Sequence, residues 1–264
     1  MGIINATPDS FYDQYPQKGL DAIIALADKM IDDGASILDI GGQSTRPGSI
    51  RISAEQEIAR VLPVIELLHE KYPDTLLSID TYHSKAAAAA VKAGASIVND
   101  ISAGNMDAAM LQTVAALQVP YICMHLKGTP ETMQQNATYD NVVKEVLDFF
   151  IQKIAVCTKA GIKDIIVDPG FGFAKTIQHN FILLKNLSAF GMLDKPILAG
   201  LSRKNTVYKT LDTTAAEALN GTTVLNTLAL VNGASIIRVH DVKEATEAVL
   251  LLDSYKKANQ HFTV

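Results

Sequence analysis

The sequence predicts a (β/α)8 barrel, the TIM barrel, as a single domain over residues 1–264. Three observations carry this expectation. Eight short runs rich in Ile, Val and Leu recur along the chain, and each is followed by a helical pattern. Eight such units in 264 residues average about 33 residues each, which suits a barrel of roughly 250 residues. Nearly continuous apolar runs of this length belong to strands buried on both faces, as in parallel sheets. An open doubly wound sheet is the structural alternative. It usually has about six strands and a G-x-G-x-x-G after the first, and no such motif follows the first run here.

In order, the runs are GIINAT (2–7), SILDIGG (36–42), LLSIDT (76–81), SIVNDIS (96–102), PYICMH (120–125), DIIVDPG (164–170), PILAGLS (196–202) and SIIRVHD (235–241). The first helix is expected over 20–34, where Ile23, Leu26, Ala27, Met30 and Ile31 share one face. The second, 53–72, opens with Ser53 and Gln56 at the spacing of a capping box. Further helices are expected over 84–93, 107–117, 139–160, 178–190, 214–231 and 242–257. Gly-Ala-Ser-Ile leads from helix to strand at Gly34, Gly94 and Gly233, and Gly161-Ile162 repeats the idea. Glycine there suits the left-handed residue just past a helix.

Composition narrows the function. Apolar residues make up 48% and charged residues 19%, which excludes a disordered chain and leaves material for one large core. Lys and Arg total 23 against 28 Asp and Glu, a net charge of −5. Without a basic excess or cluster, a nucleic-acid partner is not expected. The two cysteines, Cys123 and Cys157, form neither a disulfide framework nor a metal-type spacing. The first residues lack a signal-peptide pattern, and the uncharged run 218–237 is broken by Asn and Gly, so no membrane span is expected. A cytoplasmic protein is the expectation.

In a barrel the site forms at the carboxyl-terminal strand ends. Those ends carry Asn5, Thr7 and Asp9; Asp39, Gln43, Ser44, Thr45 and Arg46; Asp80; Asn99 and Asp100; His125; Asp168; Ser202, Arg203 and Lys204; and Arg238, His240 and Asp241. The set divides by charge. Asp80, Asn99 and Asp168 offer acceptors and an amide to a flat ligand bearing guanidine-like N–H groups. Arg46, Arg203, Lys204, Arg238 and His240 are expected as cations for phosphate or carboxylate groups. Asn5 and Thr45 offer hard oxygens suited to Mg²⁺ on a diphosphate. A ligand with an amidine-like head and a phosphorylated tail would satisfy both halves.

Several chemistries find no motif. There is no G-x-x-x-x-G-K-[ST], H-E-x-x-H, G-x-S-x-G or C-x-x-C. The six histidines are scattered, so a zinc hydrolase barrel fits poorly. Lys204 lies in an S-R-K turn past the strand, which argues against a Schiff-base aldolase.

Eight strings then stand together: INATPDSFYD (4–13), DIGGQSTRPGS (39–49), SIDT (78–81), NDIS (99–102), MHLKGTP (124–130), DPGFGFAKT (168–176), GLSRKN (200–205) and RVHDV (238–242). They resemble the dihydropteroate synthase family, in that family's order and over nearly the whole chain. The resemblance implies a homodimeric, Mg²⁺-dependent barrel transferase of folate biosynthesis and a target of sulfonamides. It would join p-aminobenzoate to 6-hydroxymethyl-7,8-dihydropterin diphosphate by dissociative loss of diphosphate. By motif, Asn5 corresponds to the metal ligand and Thr45 to a diphosphate contact. Asp80, Asn99, Asp168 and Lys204 correspond to pterin contacts, with Met124 and Phe173 beside them, and Arg238 and His240 to diphosphate contacts. Asp9, Phe11, Asp13, Arg46 and Pro47 look like the loop residues that close over p-aminobenzoate, with Asp13, Arg46 and Lys204 in catalytic roles. Arg203 and Asn205 fall in the turn that would hold its carboxylate. Gln43 stands where the family most often has Glu, and Asn205 where Ser is usual. Two other readings share the pterin contacts: a methyltetrahydrofolate–corrinoid methyltransferase, which would not need the S-T-R-P-G loop or the S-R-K turn, and a catalytically silent paralogue.

Overall fold

Successive side chains of a strand point to opposite faces, so a strand buried on both sides needs two different environments. The computed structural model, which describes residues 1–7, 16–43, 51–133 and 135–258, provides them. Strands β1 (Gly2–Asn5), β2 (Ile37–Gly41), β3 (Leu76–Asp80), β4 (Ile97–Asp100), β5 (Tyr121–Met124) and β6 (Ile165–Asp168) pair in parallel, in that order. Strands β7 (Leu198–Ala199) and β8 (Ile236–Ile237) pair with each other. Two bridges close the ring: Val167 to Ile197, and Gly2 to Val239. Across the last seam, the Ile3 N–H donates to the Val239 carbonyl at 3.0 Å, and the Val239 N–H to the Met1 carbonyl at 2.9 Å. The eight expected strands therefore form the eight-stranded barrel the sequence predicts.

Alternation then sorts the residues. Ile4, Leu38, Ile40, Leu77, Ile79, Val98, Tyr121 and Val167 face outward into one large core with the helices. Inside the barrel, Ile97, Ile122 and Leu198 form an apolar floor with Met1, Ile37, Ile166 and Ile236. Above that floor the inward positions turn polar, beginning with Asp39 and Ser78, which sit in register on β2 and β3.

The helices are α1 (Pro16–Asp32), α2 (Ala54–Lys71), α3 (Ser84–Lys92), α4 (Met110–Leu117), α5 (Val142–Ala160), α6 (Ile177–Lys185), a short α7 (Asn205–Tyr208), α8 (Leu219–Val231) and α9 (Val242–Lys257). The capping box at Ser53 and Gln56 is present in both directions. Gly34, Gly94, Gly161 and Gly233 all adopt the left-handed φ expected of them, between +97° and +120°. None of the described helices is long and apolar enough to cross a membrane.

Several boundaries differ from expectation for local reasons. Helix α1 starts four residues early because Pro16 suits a first helical position. Helix α4 starts late because Asp107 uses its carboxylate on the Ala109 and Ser84 N–H groups. The helix expected over 178–190 breaks at Asn186, whose side chain bonds the Ile182 carbonyl, and continues as a 3₁₀ turn from Leu187 to Leu193. Helix α8 starts at Leu219, not 214, since Arg203 takes the carbonyls of Ala215 and Ala216 at 2.8 and 2.6 Å.

One buried acid supports the chain beneath the mouth. Glu57 of α2 lies under Gly42 and accepts a hydrogen bond from the Thr81 hydroxyl at 2.5 Å. Burial pushes its carboxyl up to about 7, and Asp80 adds to the shift. The folded state thus keeps a proton that the unfolded chain loses near pH 4.5, so this group's contribution is full at low pH and lost as pH rises through 7. Glu57→Gln should flatten that slope. We expect a gain of about 1–3 kcal/mol at pH 8 and none at pH 4.5, read by urea unfolding at both pH values.

Candidate active site

Eight strand ends converge at one mouth, so residues far apart in sequence meet there. Their centre is a shared carboxylate. Asp39, fully buried on β2, accepts at Oδ2 from Nε of Arg238 at 2.5 Å and from the amide Nδ2 of Asn99 at 3.0 Å. Arg238 also donates through Nη2 to Asp80 at 2.8 Å. Burial opposes the guanidinium charge, but Asp39 and Asp80 outweigh it and hold the group above its ordinary range. Burial pushes the Asp80 carboxyl up while Arg238 pulls it down. With Nδ2 committed to Asp39, Asn99 has its Oδ1 left as an acceptor.

Asp168 ends β6 in register with Met124 of β5. Its Oδ1 accepts the Gly170 N–H at 2.8 Å, and Oδ2 has no hydrogen-bond partner among the described residues. Burial pushes this carboxyl up, opposed first by Lys204. Lys204 donates to the Phe171 carbonyl at 2.5 Å and lies 4.8 Å from the centre of the Phe173 ring. Burial lowers its pKa to about 8, with Asp168 favouring the charged form. Met124 and Phe173 belong to an apolar cluster with Tyr82, Ile101 and Leu126. Acceptor oxygens, an ammonium and an apolar wall thus lie together at the mouth, a combination suited to a flat ring with an N–H edge.

Gly170 makes this geometry possible. Its φ is +72°, and a Cβ there would lie 2.2 Å from the His125 carbonyl oxygen. Only glycine accepts both the conformation and the contact. On β4, Asp100 faces outward and plays a different part from a rim acid. It accepts from the Ser102 N–H and hydroxyl, the Gly104 N–H and the Tyr121 hydroxyl, all at 2.7 Å, and so fixes the turn after Asn99.

Two expected cations behave differently. Arg203 is fully engaged: Nε and Nη2 hold the two Asp241 oxygens at 2.9 and 2.8 Å, and Nη1 takes the two carbonyls that delay α8. It clamps the loop between β7 and α8 to the end of β8. His240 is not a cation. Partial burial and the Arg238 charge push its pKa down, so the ring is neutral at pH 7. Its backbone N–H donates to Ser202 Oγ at 3.1 Å, and Nδ1 of the ring lies 2.9 Å from the same hydroxyl. With the Ser202 hydroxyl donating to Nδ1, the ring would carry its hydrogen on Nε2, as a neutral donor.

Asn5 ends β1, and its side chain makes no hydrogen bond among the described residues. Asn205 opens α7, half-buried at the rim. Asp9, Phe11, Asp13, Thr45, Arg46 and Pro47 lie outside the described residues. Among the described residues, no group of three His, Cys, Asp or Glu could hold a metal ion. Two buried residues given no role by sequence stand out. Asp39 was one strand-end acid among many, and only the closed ring reveals what it joins. Lys175 is an apparently ordinary loop lysine that is only 2% exposed.

A barrel whose mouth sets acceptor oxygens and an ammonium beside an apolar wall has the chemistry to bind planar, N–H-edged heterocycles. Residues 1–240 match the family described as pterin binding enzyme. Dihydropteroate synthase of Escherichia coli (strain K12) is 40% identical over 263 residues, covering 99% of this chain and 93% of that protein. The structure of Yersinia pestis dihydropteroate synthase in complex with a sulfonamide drug aligns over 98% of this chain and 94% of that one, with TM-score 0.92 and 38% identity. Xanthomonas albilineans dihydropteroate synthase with 4-aminobenzoic acid aligns over 98% and 93%, with TM-score 0.91 and 37% identity. The chain belongs to the pterin-binding enzymes and, among them, to the dihydropteroate synthase family.

The shared carboxylate changes what an arginine substitution should do. Arg238→Ala leaves Asp39 buried without its cation and frees Asp80, so we expect about 3–5 kcal/mol of lost stability. Free pterin and its diphosphate should both bind more weakly, because Asn99 and Asp80 lose their orientation. Calorimetry with the two ligands checks this; a loss confined to the diphosphate would restore the simpler phosphate-contact role.

Proposed function

We propose that this enzyme condenses 6-hydroxymethyl-7,8-dihydropterin diphosphate with p-aminobenzoate, giving 7,8-dihydropteroate and diphosphate in folate biosynthesis. The observation that carries the reading is the Oδ2 of Asp168, unpartnered among the described residues, near the charge of Lys204. A 2-amino-4-oxo pterin offers a guanidine-like edge to that oxygen. Lys204 and Phe173 would cover one side of the ring and Met124 another. The family membership supports the same substrate class.

A divalent cation would find one protein oxygen at the mouth and take the rest of its shell from water and substrate. Asn5 contributes that neutral oxygen, unengaged among the described residues, and Mg²⁺ usually completes its shell with water and substrate phosphate oxygens. Bound there, Mg²⁺ would neutralise charge on the departing diphosphate. The chain's own residues do the rest. Neutral His240 would donate through Nε2 to a phosphate oxygen, while Arg238 holds Asp80 and Asn99 toward the pterin and Lys204 supplies positive charge near the ring. Thr45 and Arg46 would add contacts to the same end. As the carbon–oxygen bond breaks, a pterin methylene cation develops, and Asp13 would stabilise it. Asp9, Phe11 and Pro47 would exclude water from the aniline nitrogen that attacks, and Asn205 would hold the p-aminobenzoate carboxylate, leaving Arg203 to secure the turn that carries it.

We read the chain as one barrel domain over 1–264, acting in the cytoplasm as a homodimer. The outer faces of α8 and α9 favour the dimer. There Val231, Leu251 and Tyr255 are exposed by 56, 72 and 76%, around an apolar groove of about 420 Å³. Leu251→Glu should give a folded monomer by sedimentation equilibrium.

Diphosphate release with p-aminobenzoate as co-substrate tests the activity. Release that requires p-aminobenzoate supports it; pterin binding without release would mark a silent binder, and methyl transfer to a corrinoid a methyltransferase. Asp168→Asn should cost at least about 1.5–3 kcal/mol of pterin affinity, since an amide cannot offer two acceptors. Calorimetry with a pterin analogue reads this, and unchanged affinity removes Asp168 from the site.

A further inference from the structure

The mouth rests on a buried cation that the reaction as described leaves unused. Lys175 follows the D-P-G-F-G-F turn after β6, and its side chain is fully enclosed. Its Nζ lies 3.0 Å from Nδ1 of His125 and donates to the Phe173 carbonyl at 3.0 Å. No carboxylate hydrogen-bonds to it. A buried ammonium with only neutral partners is costly and needs an explanation. Its position supplies one. The nitrogen packs under Gly170, 3.4 Å from where a Cβ would stand, and the Gly170 N–H holds Oδ1 of Asp168.

We propose that Lys175 is a positioning residue for the pterin site: its ammonium, seated beneath Gly170 by His125 and the Phe173 carbonyl, keeps Asp168 ionised and presents its free oxygen to the ligand. This rests on the reading of Asp168 as the acceptor for the pterin edge. Electrostatics agree in both directions. Burial pushes Lys175 down to about 7, and Asp168 is the group that most favours its charge; Lys175 in turn helps oppose the rise of the Asp168 carboxyl. The other charges facing Lys175 are Lys204, before α7, and Lys127, after β5, both of which disfavour its charge. His125 stays neutral, its pKa lowered to about 2 by burial and then by Lys175, and His179 of α6 is pushed down as well. Lys204 and Arg238 also support Asp168, so Lys175 adds to them from below.

The sign follows directly. Ligand binding that needs the Asp168 carboxylate weakens on the acid side, and removing the Lys175 charge moves that limb to higher pH. Binding of 6-hydroxymethylpterin to Lys175→Met, Lys175→Gln and the parent should be titrated by calorimetry from pH 5 to 9. We expect both variants to show the acid midpoint raised by about one unit, with affinity near the parent value at pH 9. A uniform loss at all pH values in both variants, or an unshifted midpoint, overturns the proposal in favour of simple packing. Asp168→Asn separates the two readings. If it binds normally, the assignment of Asp168 fails. If it loses binding while Lys175→Met keeps the parent profile, only the role of Lys175 fails. Should neither Lys175 variant fold, ¹⁵N NMR of the Lys175 side chain in the parent decides: an ammonium at pH 6 supports the proposal, and a neutral amine overturns it.

Discussion

The geometry of the mouth depends on one oxygen atom. Oδ2 of Asp39 receives both Arg238 and Asn99, and Arg238 continues to Asp80. These contacts tie β8 to β2, β3 and β4 through the barrel interior, across 199 residues of sequence in the longest case. Such an ion pair is weak evidence for stability, because desolvation offsets much of the attraction. Its value lies in direction. A carboxylate that accepts from a guanidinium and an amide at once fixes which way each points, and the remaining oxygens at the mouth inherit that orientation.

The same logic explains how the polar half of the barrel coexists with the apolar half. Below Asp39 the inward positions are Ile, Leu and Met; above it they include Asp80, Asn99 and Asp168. Neither half alone would serve. The floor gives the barrel a close-packed base, while the upper layer accepts the cost of buried polar groups in return for a preorganised pocket. Asp39 Oδ1 and Ser78 Oγ, both buried and without partners, mark the boundary between the halves.

Much of this was legible in the sequence. All eight strands, the Ser53 cap and the left-handed glycines followed from local chemistry, because periodicity and backbone conformation are written in a few adjacent residues. Asp80, Asn99 and Asp168 were identifiable because a polar residue at a strand end is easy to see. What escaped were properties that belong to pairs. Arg203 and Arg238 are alike in sequence, but one clamps Asp241 and the other spans the barrel. His240 loses its charge to burial and then to Arg238 two residues away, and Lys175 is buried by a turn whose shape depends on Gly170. Helix α8 begins late because an arginine sixteen residues earlier takes its first carbonyls. Partnerships of this kind become visible only when the ring is closed.

Closure of the ring also sets a clock. The seam joins residues 3 and 239, so the first strand waits for nearly the whole chain before its second neighbour exists. At roughly 5–20 residues per second of synthesis, that wait lasts about 10–50 s. Throughout it, β1 presents an open edge, and Asp39 and Asn99 lack the arginine that will orient them. Any sheet formed before that point has an open edge available to other chains, and the paired groups of the mouth are complete only with the arrival of the last strand.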